Sequence, residues 1–180
     1  SKSQVKYSKN YLLDMWEEKN VNFTESKKSL HFSCRLFLNK SFHSSIIINK
    51  NINTELQNMI SLAEDIRAGK FGKITDIIHL GTGGSNLGPK MIYNCFTHKI
   101  ISPKTHFISN TDPSTLTNLL YSLNPKTTLV FVVSKSFQTN ETILNLKRIK
   151  SWLSNHNFSL DLILSKIIGI TSNHKSALMH

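Results

Sequence analysis

Two short segments hold the residue types that bind small anions. The first is Ser134-Lys135-Ser136-Phe137-Gln138-Thr139-Asn140-Glu141-Thr142. Ser134, Ser136 and Thr139 offer hydroxyl donors, and Lys135 offers a cation. The run leads into an amphipathic stretch, so the amides of a helix N-terminus follow at once. Hydroxyls, backbone N–H groups and one lysine make a phosphate cradle that needs no metal. Thr139 or Asn140 would also serve as the cap of that helix, with Glu141 favoured by the first-turn dipole; capping and binding are compatible. The second segment is Gly81-Thr82-Gly83-Gly84-Ser85-Asn86-Leu87-Gly88-Pro89. Its glycines turn the backbone tightly and let a ligand approach the amides, and Ser85 adds a hydroxyl. The helix start behind it suits a phosphate or a polyol.

Better-known motifs fail at these positions. A dinucleotide fingerprint from Gly81 needs glycine where Asn86 stands. A phosphate loop from Gly83 reaches Gly88 but then meets Pro89 before Lys90. A hydrolase elbow G-x-S-x-G is absent as well. The eight histidines show no metal-binding spacing. His79, beside the glycine turn, reads as a buried, hydrogen-bonded side chain, and His31 as structural. Cys34 and Cys95 cannot form a disulfide framework or a C-x-x-C zinc pair.

The elements that must hold these segments follow a regular alternation. Residues 55–67 read as a helix capped by Asn53 or Thr54, with Leu56, Ile60, Ala63 and Ile66 on one face. Ile46, Ile47 and Ile48 before it read as irregular or as a short strand. Strands are predicted over 74–80, 105–109, 127–134 and 167–171, the last two buried. Helices are predicted over 87–96, 112–123, 141–155 and 158–165. The first of these opens at Gly88-Pro89, and the second is capped by Asp112 with Pro113 following. Trp152 on the third reads as packing. Alternating strands and helices imply an α/β, doubly wound parallel sheet with right-handed crossovers. Such sheets bind ligands beyond the carboxyl ends of their strands. The loops of interest are therefore 81–86, 109–113, 134–141 and 171–175. One of the two segments would hold a sugar's hydroxyls and the other its phosphate.

Composition narrows the class further. The chain has 180 residues, 39% hydrophobic and 18% charged, which excludes a disordered chain. Lys plus Arg number 22 and Asp plus Glu 11, a net charge of +11. Eleven of the basic residues lie in 1–70 and 11 in 71–180, with no run of five, so no clustered nucleic-acid footprint is present. Nineteen of the 22 are lysine, as A/T-rich codons would produce. No apolar run reaches the roughly 20 residues of a membrane span. The first 20 residues lack an apolar signal core, so secretion is not expected.

The segments together resemble one family. The stretch from Gly81 to Pro89 is similar to the G-I/T-G-G-S-D/N-L-G-P segment of glucose-6-phosphate isomerases. The stretch from Ser134 to Thr142 is similar to their S-K-T-F-T-T-x-E-T segment. Asn22-Phe23-Thr24-Glu25, then Leu30-His31 and Arg35, resembles their N-x-T-E-x-R-x-x-L-H-x-x-x-R stretch, and Ile108-Ser109-Asn110-Thr111-Asp112 their V-S-N-x-D. Gln138 departs from a usual threonine, Ser136 from another while keeping the hydroxyl, and Lys27-Lys28-Ser29 from an R-x-V run.

The resemblance implies a sugar-isomerase (SIS-type) sandwich that interconverts glucose 6-phosphate and fructose 6-phosphate, as in glycolysis and gluconeogenesis. It implies no metal or organic cofactor, a cytoplasmic location, and a homodimer at full length. Gly84 and Ser85 would contact the sugar; Ser134, Lys135, Ser136, Gln138 and Thr139 would hold the phosphate or line its pocket. In the family a histidine and a lysine open the ring, a glutamate moves the proton through an enediolate, and a G-G-R arginine stabilises the charge. All four lie after the matched region, so no catalytic residue is expected in this chain before His180. Glu141 is explained by its helix start and is not assigned as the base. The chain thus reads as an N-terminal portion: residues 1–52 an extension, 53–180 the first α/β domain. The alternatives are a non-catalytic phosphosugar sensor on the same fold and, from charge alone, a nucleic-acid binder. The expected partner is a small-molecule sugar phosphate, with no nucleic acid and no membrane.

Overall fold

The computed structural model describes residues 46–96 and 103–180, together with Asp14. The expectations before residue 46, including the 22–35 stretch, His31 and Cys34, lie outside the described residues. The chain divides into two compact units, 1–63 and 64–180.

The elements are α1 (Ile46–Arg67), β1 (Asp76–Leu80), α2 (Gly84–Phe96), β2 (Lys104–Ile108) and α3 (Pro113–Ser122). After a single 3-10 turn come β3 (Thr128–Val133), α4 (Asn140–Asn155), α5 (Leu160–Ser165), β4 (Ile167–Ile170) and the short α6 (His174–Ala177). α1 starts at Ile46 rather than near residue 55. The isoleucine triplet favours strand locally, but no glycine or proline stands between 46 and 67 to stop a helix once begun. Leu56 and Ile60, expected on its buried face, are 39% and 43% exposed, whereas Ile66 is packed. Asp112 caps α3 as its spacing predicts, its carboxylate accepting the Ser114 N–H at 2.9 Å.

The four strands form an all-parallel sheet in the order β2-β1-β3-β4. Side chains alternate across it. Ile78, Leu80, Ile108, Val130 and Val132 meet Leu116 and Leu120 of α3, Leu146, Ile149 and Leu153 of α4, and Ile163 of α5. Ile77, Leu129, Phe131 and Ile168 occupy the other face with Ile66, Phe71 and Ile74. α2 joins that second face, Tyr93 packing edge-on to Phe107 at 5.6 Å. Helices therefore cover both faces, and β1 and β3 are largely buried on both, as the nearly continuous apolar run of β3 requires; in β1 the buried His79 interrupts the run. The sequence predicts a buried β4 as well; the structure differs. β4 is an edge strand paired only with β3, and Gly169 and Ile170 are exposed.

At the opposite end of the sheet from the loops of interest, Lys166 is buried. Its Nζ donates to the carbonyls of Phe71 (3.2 Å) and Lys126 (2.9 Å), and burial lowers its pKa.

Candidate functional site

The strand order creates the site. From β1 the chain crosses through α2 to β2 on one side; β3 then pairs on β1's other side. The connections leaving β1 and β3 diverge, which opens a crevice at this switch point. Leu80 is in register with Val132 on strands roughly 4.8 Å apart. The glycine turn after Leu80 and the hydroxyl loop after Val133 therefore emerge side by side.

The glycine turn is tighter than its sequence suggests. α2 begins at Gly84, three residues before the predicted 87, with Asn86 N and Leu87 N both bonded to Gly83 O. Gly83 takes φ +51°, and a Cβ on Gly81 would stand 2.8 Å from the Ser85 carbonyl oxygen. Glycine is demanded at both positions. Gly84 and Ser85 thus form the first helical turn, exposed and half-buried respectively.

This start places Pro89 inside the helix rather than at its opening. Pro89 has no N–H to give to the carbonyl four residues back, Ser85 O. His79 takes its place: its Nε2–H donates to that oxygen at 2.8 Å. His79 is buried, as expected, and burial lowers its pKa while the Ser85 bond opposes that shift. The carbonyl acceptor holds the ring in its Nε2–H form.

The hydroxyl loop is ordered by its own side chains. Ser134, 4% exposed, accepts the Phe137 N–H on its Oγ at 3.1 Å. Ser134 Oγ also pairs with Thr139 Oγ1 at 3.2 Å, a contact in which either hydroxyl can donate. Ser136 Oγ accepts the Gln138 N–H at 3.3 Å. Thr139 occupies the cap position of α4, but its side chain makes no cap bond. The first-turn amides of a 16-residue helix therefore face the loop without a side-chain cap. The side chains of Lys135, Ser136 and Gln138 are exposed. Phe137 adopts φ +52°, a conformation disfavoured outside glycine.

The structure thus brings the Ser134 and Thr139 hydroxyls together, leaves Ser136 exposed on the same loop, and sets Gly84 and Ser85 on the neighbouring one. Two buried side-chain oxygens, Asn86 Oδ1 and Thr142 Oγ1, have no hydrogen-bond partner, and each lies in the first turn of one of these helices. The loop 109–113 is anchored to α4: Asn145 Nδ2 donates to Asn110 O (2.7 Å) and Arg148 Nη1 to Thr111 O (2.9 Å). The sequence reads His79 as a bonded side chain but does not name its partner; the hydroxyls of 171–176 contact the hydroxyl loop with no sequence signal beyond the position of 171–175 after a strand. Among the described residues no helix is long and apolar enough to cross a membrane.

Comparisons with known proteins converge. The family model for phosphoglucose isomerase matches residues 3–179. A glucose-6-phosphate isomerase of Francisella philomiragia is 35% identical over 96% of this chain and 33% of its own length. One from Acinetobacter baumannii is 33% identical over 93% of this chain and 33% of its own. The crystal structure of a glucose-6-phosphate isomerase from Chlamydia trachomatis aligns with a TM-score of 0.71 at 29% identity, over 82% of this chain and 28% of that one. The chain spans about a third of the length of the curated relatives it matches.

Proposed function

This chain belongs to the phosphoglucose isomerase family, and from that premise we propose that it binds a hexose 6-phosphate for interconversion of glucose 6-phosphate and fructose 6-phosphate. The phosphate rests on the hydroxyl loop. The hydroxyls of Ser134, Ser136 and Thr139, the charge of Lys135 and the opening amides of α4 neutralise it, with Gln138 at the rim. Gly84 and Ser85 on the adjacent turn receive the sugar hydroxyls. The observation that carries this reading is the uncapped start of α4 beside Ser134 and Thr139, whose hydroxyls lie 3.2 Å apart, at the sheet's switch point.

The chemistry is a proton transfer between adjacent carbons, which needs a base, ring-opening groups and a cation for the enediolate. None of the loop residues fills those roles. Glu141 is exposed in the first turn of α4, where the dipole accounts for it. We assign the proton-transfer groups to chain outside these 180 residues, in keeping with relatives about three times as long. The same reading makes the full-length protein a cytoplasmic homodimer that uses no metal, organic cofactor or nucleic-acid partner. A non-catalytic sensor is not favoured, since the named relatives are isomerases along nearly the whole chain.

The test is fructose 6-phosphate binding to this chain by calorimetry. Ser134→Ala and Thr139→Ala should each weaken it about tenfold, the loss expected of one hydrogen bond to a charged group. Unchanged affinity in both variants would reject the cradle.

A further inference from the structure

The carbonyls of the hydroxyl loop are held from outside the loop. Lys135 O accepts the Thr171 hydroxyl (3.1 Å), the Ser172 amide (3.3 Å) and the Ser172 hydroxyl (2.9 Å). Phe137 O accepts the Ser176 hydroxyl at 3.2 Å. Ser176 is 3% exposed, so water does not replace that bond. The donors are themselves ordered: Asn173 N–H donates to Thr171 Oγ1 (3.0 Å), and Ser176 N–H to Asn173 Oδ1 (3.1 Å). The Phe137 ring is buried, near Gly169 and stacked on His180 with centroids 6.3 Å apart.

In a trans peptide the carbonyl and the next N–H point opposite ways. Drawing Lys135 O and Phe137 O toward 171–176 therefore turns the N–H groups of Ser136 and Gln138 away from that segment. The same bonds hold Phe137 in its left-handed conformation, which a non-glycine residue keeps only where surrounding contacts over-determine it. Once Phe137 is so held, its N–H falls on Ser134 Oγ and leaves the Ser134 proton for donation.

We propose that Thr171, Ser172 and Ser176 are positioning residues: a clamp from the loop after β4 that sets the orientation of two peptide groups in the phosphate loop and so pre-organises it for the anion. They do not touch the ligand. They act through the Lys135 and Phe137 carbonyls, sparing the anion the cost of ordering the loop on binding. The inference rests on the assignment of 134–139 to the phosphate.

The experiment titrates fructose 6-phosphate into the isotope-labelled chain and follows backbone amides. Ser176→Ala should weaken binding about three- to tenfold, the effect of one buried hydrogen bond, and Thr171→Val about two- to threefold, because its bond to Lys135 O is exposed and Ser172 still donates there. Thr171→Ser, which keeps the hydroxyl, should bind like the unmodified chain. The amides of Ser136 and Gln138 should shift in the weakened variants while those of Leu80 and Ile149 stay in place, separating loop orientation from loss of fold. Should Ser176→Ala disturb the core amides, the Thr171→Val and Thr171→Ser pair decides. Unaltered affinity in the clamp variants, with Ser134→Ala still weakened, overturns the clamp and leaves the phosphate reading standing. Unaltered affinity in Ser134→Ala and Thr139→Ala as well overturns both.

Discussion

His79 shows how one side chain repairs a local rule that the sequence breaks. Pro89 deprives α2 of a hydrogen bond at Ser85 O, and a buried imidazole supplies it. The repair is sensitive to pH. Burial lowers the folded-state pKa of His79 below its ordinary 6.5, so just below that pH the unfolded chain binds a proton that the folded chain does not. Stability contributed by neutral His79 is therefore complete above about pH 7 and is lost as pH falls through the unfolded value toward the folded one. Urea midpoints measured from about pH 8 down to pH 5 should decline, and more steeply than those of His79→Gln, whose amide still donates but does not titrate. Parallel curves for the two proteins would show that His79 does not sense pH.

At the scale of the element, the turn between β1 and α2 is set by backbone approach more than by side chains. A methyl on Gly81 would meet the Ser85 carbonyl at 2.8 Å, an oxygen already held by His79. Gly81→Ala must push the first turn of α2 outward, and Gly84 and Ser85 with it. We expect a loss of about 1–3 kcal/mol in chemical unfolding, the usual penalty for forcing extra volume into a packed site. Gly88→Ala, where an added Cβ meets nothing within 4 Å, should be close to neutral or mildly stabilising. Equal losses for the two would mean that the close approach at Gly81 relaxes freely. α2 also shows why element boundaries are hard to read. Gly88-Pro89 looks like a helix opening, yet the helix already exists at Gly84, because backbone bonds to Gly83 start it earlier.

For the whole molecule, binding and turnover separate. The two loops sit on adjacent strands of one sheet, so the 64–180 unit contains both halves of the proposed phosphosugar site. On the proposed assignment, no residue of these loops supplies the proton-transfer base. The chain should therefore bind fructose 6-phosphate and show no isomerisation in a coupled assay. Measurable turnover would mean that a base lies within these 180 residues, with Glu141 the first carboxylate to replace.

The sequence by itself determined the alternation of strands and helices, the parallel sheet, and the two chemical loops. Each is written in local signals: apolar runs, Asp-Pro and Asn-Pro punctuation, glycines after a strand, hydroxyls before a helix. It also pointed to His79 as a bonded side chain. Only the tertiary structure decided that β3 returns to the far side of β1, which puts the two loops at a switch point; strand order depends on long-range pairing that no local pattern encodes. It likewise decided that β4 lies at an edge, that His79 donates to the Ser85 O that Pro89 cannot reach, and that Thr171, Ser172 and Ser176 bond the carbonyls of the hydroxyl loop. The His79 contact spans only 6 positions but depends on where the helix starts, whereas the clamp contacts join residues 36 to 39 positions apart that only the β3–β4 pairing brings together.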